Sequence, residues 1–157
     1  MPRYEVAPGV GLYCEDFGDG QAIVFTAAGI QTRKMWEHQA AELAFRYRTV
    51  TYDWRGTGRS DRPRGPYDVE QAVGDLIALV ESLEVAPAVL VGSGIGCHVT
   101  LLVAHRRPEL VRGMVLVSGA PWYTGDLEDE GGFSAEFTEW WTQQTANEGT
   151  HIAQAYA

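Results

Sequence analysis

Apolar and polar positions along this chain change their period several times, and each change marks an element. Val10 to Phe17 alternates loosely and ends in Gly18-Asp19-Gly20, which predicts an edge strand closed by a tight turn. Ala22 to Ala27, Ala-Ile-Val-Phe-Thr-Ala, is a short run of the kind shown by a fully buried parallel strand. From Met35 to Phe45 the period becomes helical, with Trp36, Ala40, Leu43 and Ala44 recurring on one side. Tyr47 to Tyr52 is again rich in β-formers, and about Asp68 to Leu83 a helix places Val69, Val73, Leu76, Ile77, Val80 and Leu83 on one stripe. After Val85-Ala86-Pro87 come a buried strand over Ala88 to Val91, a helix from about Ile95 to Arg106 and a strand over Gly113 to Val117. The order β-β-α-β-α-β-α-β predicts an α/β fold: a mostly parallel sheet with helices on both faces.

Beyond Ser118 the pattern breaks. Pro121-Trp122-Tyr123, the acidic Asp126-Leu127-Glu128-Asp129-Glu130 and Gly131-Gly132 read as a linker. Phe133 to Ala157, with Phe137, Trp140 and Trp141, reads as one or two amphipathic helices. The chain thus divides into a core over residues 1–120 and a second segment over 121–157.

Composition narrows the function. With 157 residues, 45% hydrophobic and 21% charged, the chain can bury one sizeable core. A net charge of -9 argues against a nucleic-acid partner, which would need clustered Lys and Arg. Cys14 and Cys97 fit no metal or redox spacing, so two structural thiols in a reducing compartment are expected. The start, Met1-Pro2-Arg3-Tyr4-Glu5, has no apolar run of a signal peptide, and no stretch reaches 18 apolar residues. These features predict a cytoplasmic chain without a membrane span. Neither metal-ligand spacing nor a phosphate-binding loop is present, and no cofactor is expected: Gly92, Gly94 and Gly96 match neither the P-loop nor the dinucleotide pattern.

The most pointed chemistry lies in Leu90-Val91-Gly92-Ser93-Gly94-Ile95-Gly96-Cys97. This has the outline of a nucleophile elbow, a tight strand-to-helix turn that lifts a Ser, Asp or Cys into a pocket on strained backbone. The glycines fall at 92, 94 and 96, and the uninterrupted helical run to Arg106-Arg107-Pro108-Glu109 sets the register, so the nucleophile position is Gly94. Ser93 stands one residue early and is the candidate substitute. Cys97, on the first helical turn, is expected to pack beneath the elbow.

Residues 8 to 122 resemble the N-terminal half of an α/β-hydrolase of the type that includes enol-lactonases, haloperoxidase-like esterases and epoxide hydrolases. The resemblance rests on the loop Thr26-Ala27-Ala28-Gly29, Trp36, the run Tyr52-Asp53-Trp54-Arg55-Gly56-Thr57-Gly58-Arg59-Ser60-Asp61-Arg62-Pro63, Tyr67, Asp75-Leu76 and the elbow. The long run is the most specific part. Read from its residues, it shapes a pocket floor: Asp53 and Arg55 pair locally, Gly56 and Gly58 take positive φ, and Ser60 caps.

The resemblance implies oxyanion donors at the backbone N–H of Ile95 and Gly29, with Ala27 where the family more usually has His. It implies pocket walls at Ala28 and Trp122, and it makes residues 121–157 the start of a helical cap. The family's catalytic acid and histidine follow later strands, so the fold is expected to be truncated. His38, His98, His105 and His151 lie on helices or in the tail and do not replace that histidine. The expected function is therefore that of a protein related to hydrolases of small esters, lactones or similar electrophiles, catalytically impaired as the chain stands. The alternatives are a non-catalytic binding or interaction module and a remnant of a longer hydrolase. Expected partners are a small apolar or ester-like molecule and further copies of the chain, associating through the sheet edge at Gly113 to Val117.

Overall fold

A computed structural model describes residues 3–29, 31–65 and 67–119. Its six strands are β1 (Arg3–Ala7), β2 (Val10–Phe17), β3 (Ala22–Thr26), β4 (Arg48–Tyr52), β5 (Ala88–Ser93) and β6 (Val111–Val117). Three α-helices join them: α1 (Glu37–Leu43), entered through a 3-10 turn at Arg33–Trp36, α2 (Val69–Ser82) and α3 (Ile95–Arg106). The strands form one sheet in the order β1-β2-β4-β3-β5-β6. The pairs β1–β2 and β2–β4 are antiparallel, and β3–β4, β3–β5 and β5–β6 are parallel. This is the expected α/β architecture.

The N-terminal strand corrects one expectation. Val10–Phe17 is an interior strand, because Arg3–Ala7 pairs along its outer side and takes the edge. Val10, Leu12, Tyr13 and Cys14 are all buried, so both faces of this strand are covered. In β3 every residue is buried, as its unbroken run requires.

Crossover direction places the helices. The β3–α1–β4 connection moves one way along the sheet, and β4–α2–β5 and β5–α3–β6 move the other. Since parallel crossovers are right-handed, α1 covers one face while α2 and α3 share the opposite one. Asp68 caps α2 by accepting the backbone N–H of Gln71 at 2.7 Å. Leu76, Leu79 and Val80 of α2 and Val99 and Val103 of α3 are buried with Leu12, Val24, Phe25, Val50 and Leu90 of the sheet in one core.

The same reversal of direction leaves a crevice. The chain leaves β3 toward α1 and leaves β5, its neighbour, toward α3 on the other face. The carboxyl ends of β3 and β5 therefore flank a topological switch point, where open α/β sheets bind their ligands.

Candidate active site at the strand-to-helix elbow

At that crevice the chain turns from β5 into α3 through Gly94, with φ 54 and ψ -124. This is the strained conformation of an elbow apex, which glycine adopts without the penalty of a side chain. Ser93, one residue earlier, is the last residue of β5 and is buried. The flanking glycines serve close approach: a Cβ at Gly92 would meet Gly96 O at 2.5 Å, and one at Gly96 would meet Ala27 O and Thr26 O at 2.8 Å. The elbow backbone is thereby seated against the end of β3. The Gly94 N–H donates to Val117 O at 3.1 Å, and its own carbonyl accepts Cys97 N at 3.0 Å.

Space at the apex is of a different kind. Among the described residues a Cβ built on Gly94 would touch only Ala28, at 3.4 Å from its Cβ and 3.9 Å from its Cα, which is ordinary contact. A side chain at position 94 would thus stand over the loop after β3. That loop is tied down by Ala28 N donating to Met35 Sδ at 3.2 Å, Gln31 N to Ala28 O at 3.0 Å and Trp36 Nε1 to Thr26 O at 3.2 Å.

Gly29 and Ile95, named as oxyanion donors from the resemblance, come together on one pocket beside the elbow. Counted together with the solvent at its open mouth, the concavity spans about 420 Å3. Trp54, Val69, Ala72 and Val99 give it an apolar lining, and Arg55, Tyr67 and Asp68 complete the wall. Ala28 faces the Gly94 apex and is not among those lining residues. Trp122 and His151 lie outside the described residues. No histidine among the described residues lines the pocket.

The turn after β4 has a wiring the sequence alone did not supply. Asp53 does not pair with Arg55: its carboxylate accepts the backbone N–H of Arg33 at 2.9 Å and of Arg59 at 3.0 Å. Gly58, at φ 47, lies so close to that carboxylate that a Cβ would overlap it. Ser60 ties the turn to β2, donating to Asp53 O at 2.5 Å and accepting Tyr13 N at 2.9 Å. Arg55 reaches instead to Asp75 of α2, with Nε 2.6 Å from Oδ2 and Nη2 bonded to Oδ1. The two side chains are only 10% and 4% exposed. Burial raises the Asp75 carboxyl above its ordinary range, and Arg55 opposes that shift without cancelling it. The pair therefore holds α2 against the pocket floor.

Both thiols are free and buried. Cys14 is pushed up to about 12 by burial and then by Asp53 and Asp16. Cys97 packs beneath the elbow, its Sγ 3.1 Å from Gly92 O and 3.4 Å from Val117 O, and burial raises its thiol as well. Such thiols are inert packing groups. Among the described residues no group of three or more His, Cys, Asp or Glu could hold a metal ion, and no helix is long and apolar enough to cross a membrane.

A parallel sheet with an elbow at its switch point defines an α/β-hydrolase-type domain. The comparisons agree: a family model described as alpha/beta hydrolase fold matches residues 21–155, and the chain belongs to that family. It is 32% identical over 118 residues to the AB hydrolase superfamily protein YisY of Bacillus subtilis (strain 168), covering 73% of this chain and 44% of that protein. A non-heme chloroperoxidase of Streptomyces lividans is 34% identical over 125 residues, covering 77% of this chain and 45% of the enzyme. Among solved structures, a bromoperoxidase from Bacillus anthracis superposes with a TM-score of 0.80 at 26% identity, over 89% of this chain and 52% of that one. The chain spans less than half the length of these two sequence relatives.

Proposed function

We propose that this chain carries the N-terminal half of an α/β-hydrolase related to enzymes of small esters and lactones, with Gly94 in the place of the nucleophile. As it stands it is then catalytically impaired. The observation that carries this reading is the backbone of Gly94, which has the apex conformation of an elbow and directs its Cβ position toward Ala28. The N–H groups of Ile95 and Gly29 are the proposed oxyanion donors, a role for backbone and not for side chains. Ser93 belongs to the strand and not to the apex, so it is a poor substitute.

Gly94→Ser tests the assignment. The apex offers room for the new side chain, and the strain of a non-glycine residue there is about 1–3 kcal/mol, so the variant should fold. A serine hydroxyl without a positioned base is a weak nucleophile at neutral pH. Turnover of p-nitrophenyl acetate should rise only feebly, far below the order of 10 per second of ordinary enzymes. Turnover at that level would assign one of the four histidines as a base and contradict the reading.

A binding module is the second reading, and the apolar pocket beside Gly29 and Ile95 favours it. Removing the reactive side chain leaves the cleft able to hold a small apolar or ester-like molecule without converting it. Two buried free thiols support placement in the cytoplasm.

We further propose self-association through β6. It is the last strand of the described sheet, and Met114, Val115, Leu116 and Val117 on it are exposed. Apolar side chains beside backbone groups that no described strand pairs favour association with another copy. Light scattering coupled to size exclusion should give a mass above 17.3 kDa at tens of micromolar, and a monodisperse monomer would refute this.

A further inference from the structure

The loop that presents Gly29 hangs on a sulfur atom. Ala28 N donates to Met35 Sδ at 3.2 Å, and this amide has no other acceptor among the described residues. A thioether is a weak acceptor, so the tie is a soft one. The loop's other side-chain tie comes from the next residue, Trp36, whose Nε1 donates to Thr26 O at 3.2 Å. Trp36 is buried, whereas Met35 is only partly so. Ala28 is also the residue that a side chain at position 94 would touch, so the sulfur holds the loop at the apex itself.

The sulfurs of the described residues differ in what an oxidant does to them. Cys14 and Cys97 are buried thiols whose pKa burial raises, and neither offers the thiolate that reacts with peroxides. A thioether carries no proton and reacts without ionising. Met35 and Met114 are then the reactive sulfurs. Met114 stands on β6 opposite Leu90, and Met35 is the one that holds the loop.

We propose that Met35 is a modification site: a peroxide converts its thioether to the sulfoxide and thereby releases the Ala28 N–H and the loop that carries Gly29. Its bearing on the pocket rests on the reading of Gly29 as an oxyanion donor. With hydrogen peroxide, a sulfur lone pair attacks one peroxide oxygen, and the S–O bond forms as the O–O bond breaks. The proton on the transferred oxygen goes to the departing hydroxide, which leaves as water. The sulfur gives up the electron pair that the peroxide gains. Oxidation undoes the tie for a geometric reason. A hydrogen bond to oxygen requires about 2.7–3.2 Å between nitrogen and oxygen, and the sulfur itself already stands 3.2 Å from the nitrogen. An oxygen added on the amide side would lie far inside that distance, and one added on any other side leaves the amide facing a sulfur depleted of electron density. Either way Ala28 parts from Met35. The new group is polar as well, while Met35 packs against the core.

The test is hydrogen peroxide added to the 15N-labelled chain carrying Met114→Leu, followed by peptide mapping with mass spectrometry and by amide spectra. Met35 should gain one oxygen, and the Ala28 and Gly29 amide resonances should shift. The Ala28 amide should exchange with solvent about fivefold faster, as the loss of one hydrogen bond implies. Methionine sulfoxide reductases of both stereospecificities should restore the original spectrum. In Met35→Leu, which keeps apolar bulk and offers peroxide no sulfur, the two resonances should not respond to peroxide. Should that variant not fold, reversal by the reductases is the control. No oxygen at Met35 under conditions that fully oxidise Met114 of the unaltered chain overturns the modification site. Oxygen at Met35 with both resonances unmoved overturns its hold on the loop. These resonances report on the loop whether or not Gly29 is an oxyanion donor, so either failure is distinct from failure of the proposed function, which hydrolysis by Gly94→Ser reads.

Discussion

Replacing Arg55 by Met should destabilise the fold by about 3–5 kcal/mol, because it leaves the Asp75 carboxylate buried without its partner. Arg55 and Asp75 lie twenty positions apart and are both nearly sealed from solvent. The pair itself adds little net stability, since burial already raises Asp75 in the presence of Arg55. Replacing both residues, Arg55→Met with Asp75→Leu, should therefore recover most of the loss. The pH dependence follows from the same shift. A carboxyl whose folded pKa is raised is protonated in both states at low pH and contributes no penalty there. As pH rises past the unfolded value the unfolded state releases its proton first, and the penalty grows until the folded carboxyl also ionises. Without Arg55 the folded pKa rises further, so the deficit of the single variant against the unaltered chain should be largest at neutral pH and narrow as pH falls toward 4. Urea unfolding at several pH values measures it. A deficit under about 1 kcal/mol at pH 7 would show that the ion pair is better solvated than its burial indicates.

The strands and helices with long regular patterns were legible in the chain. The β3 run, the α2 stripe and the α3 segment stand where the periodicity placed them, because each buries a face that its own residues define. β1 was not read, although Tyr4 and Val6 alternate with Arg3 and Glu5 and Pro8-Gly9 marks the turn into β2; five residues alone give a short pattern. Its omission made β2 look like an edge. The length of the helix after the elbow was enough to locate the turn at Gly94, whose positive φ then distinguishes it from Ser93 in the strand.

The polar wiring was less legible. Asp53 and Arg55 are two residues apart and suggest a local pair, yet backbone N–H groups of Arg33 and Arg59 claim Asp53 and a helix from another crossover supplies Asp75. Such partners are set by how elements dock, and no local pattern encodes them. The same holds for the pocket. Val69 reads as part of the α2 stripe, and only its packing beside Gly29, Trp54, Ala72, Ile95 and Val99 makes it a lining. The tie between the Ala28 N–H and the Met35 sulfur is likewise a property of the assembled site.

The largest effect on activity should appear without any mutation. Covalent acyl transfer needs a side-chain nucleophile at the apex, and removing such a nucleophile from an intact triad costs about a factor of 10^6 in rate. Here the apex is Gly94, and Cys97 is buried with a raised thiol pKa. Backbone donors alone can still assist water slightly. The measurement that tests this most directly is steady-state hydrolysis of p-nitrophenyl acetate by the purified chain, with Ser93→Ala alongside. Both proteins should stay at the background rate and show no saturation. Saturable turnover that is lost in Ser93→Ala but survives in Gly94→Ala would place the nucleophile at Ser93 and contradict it.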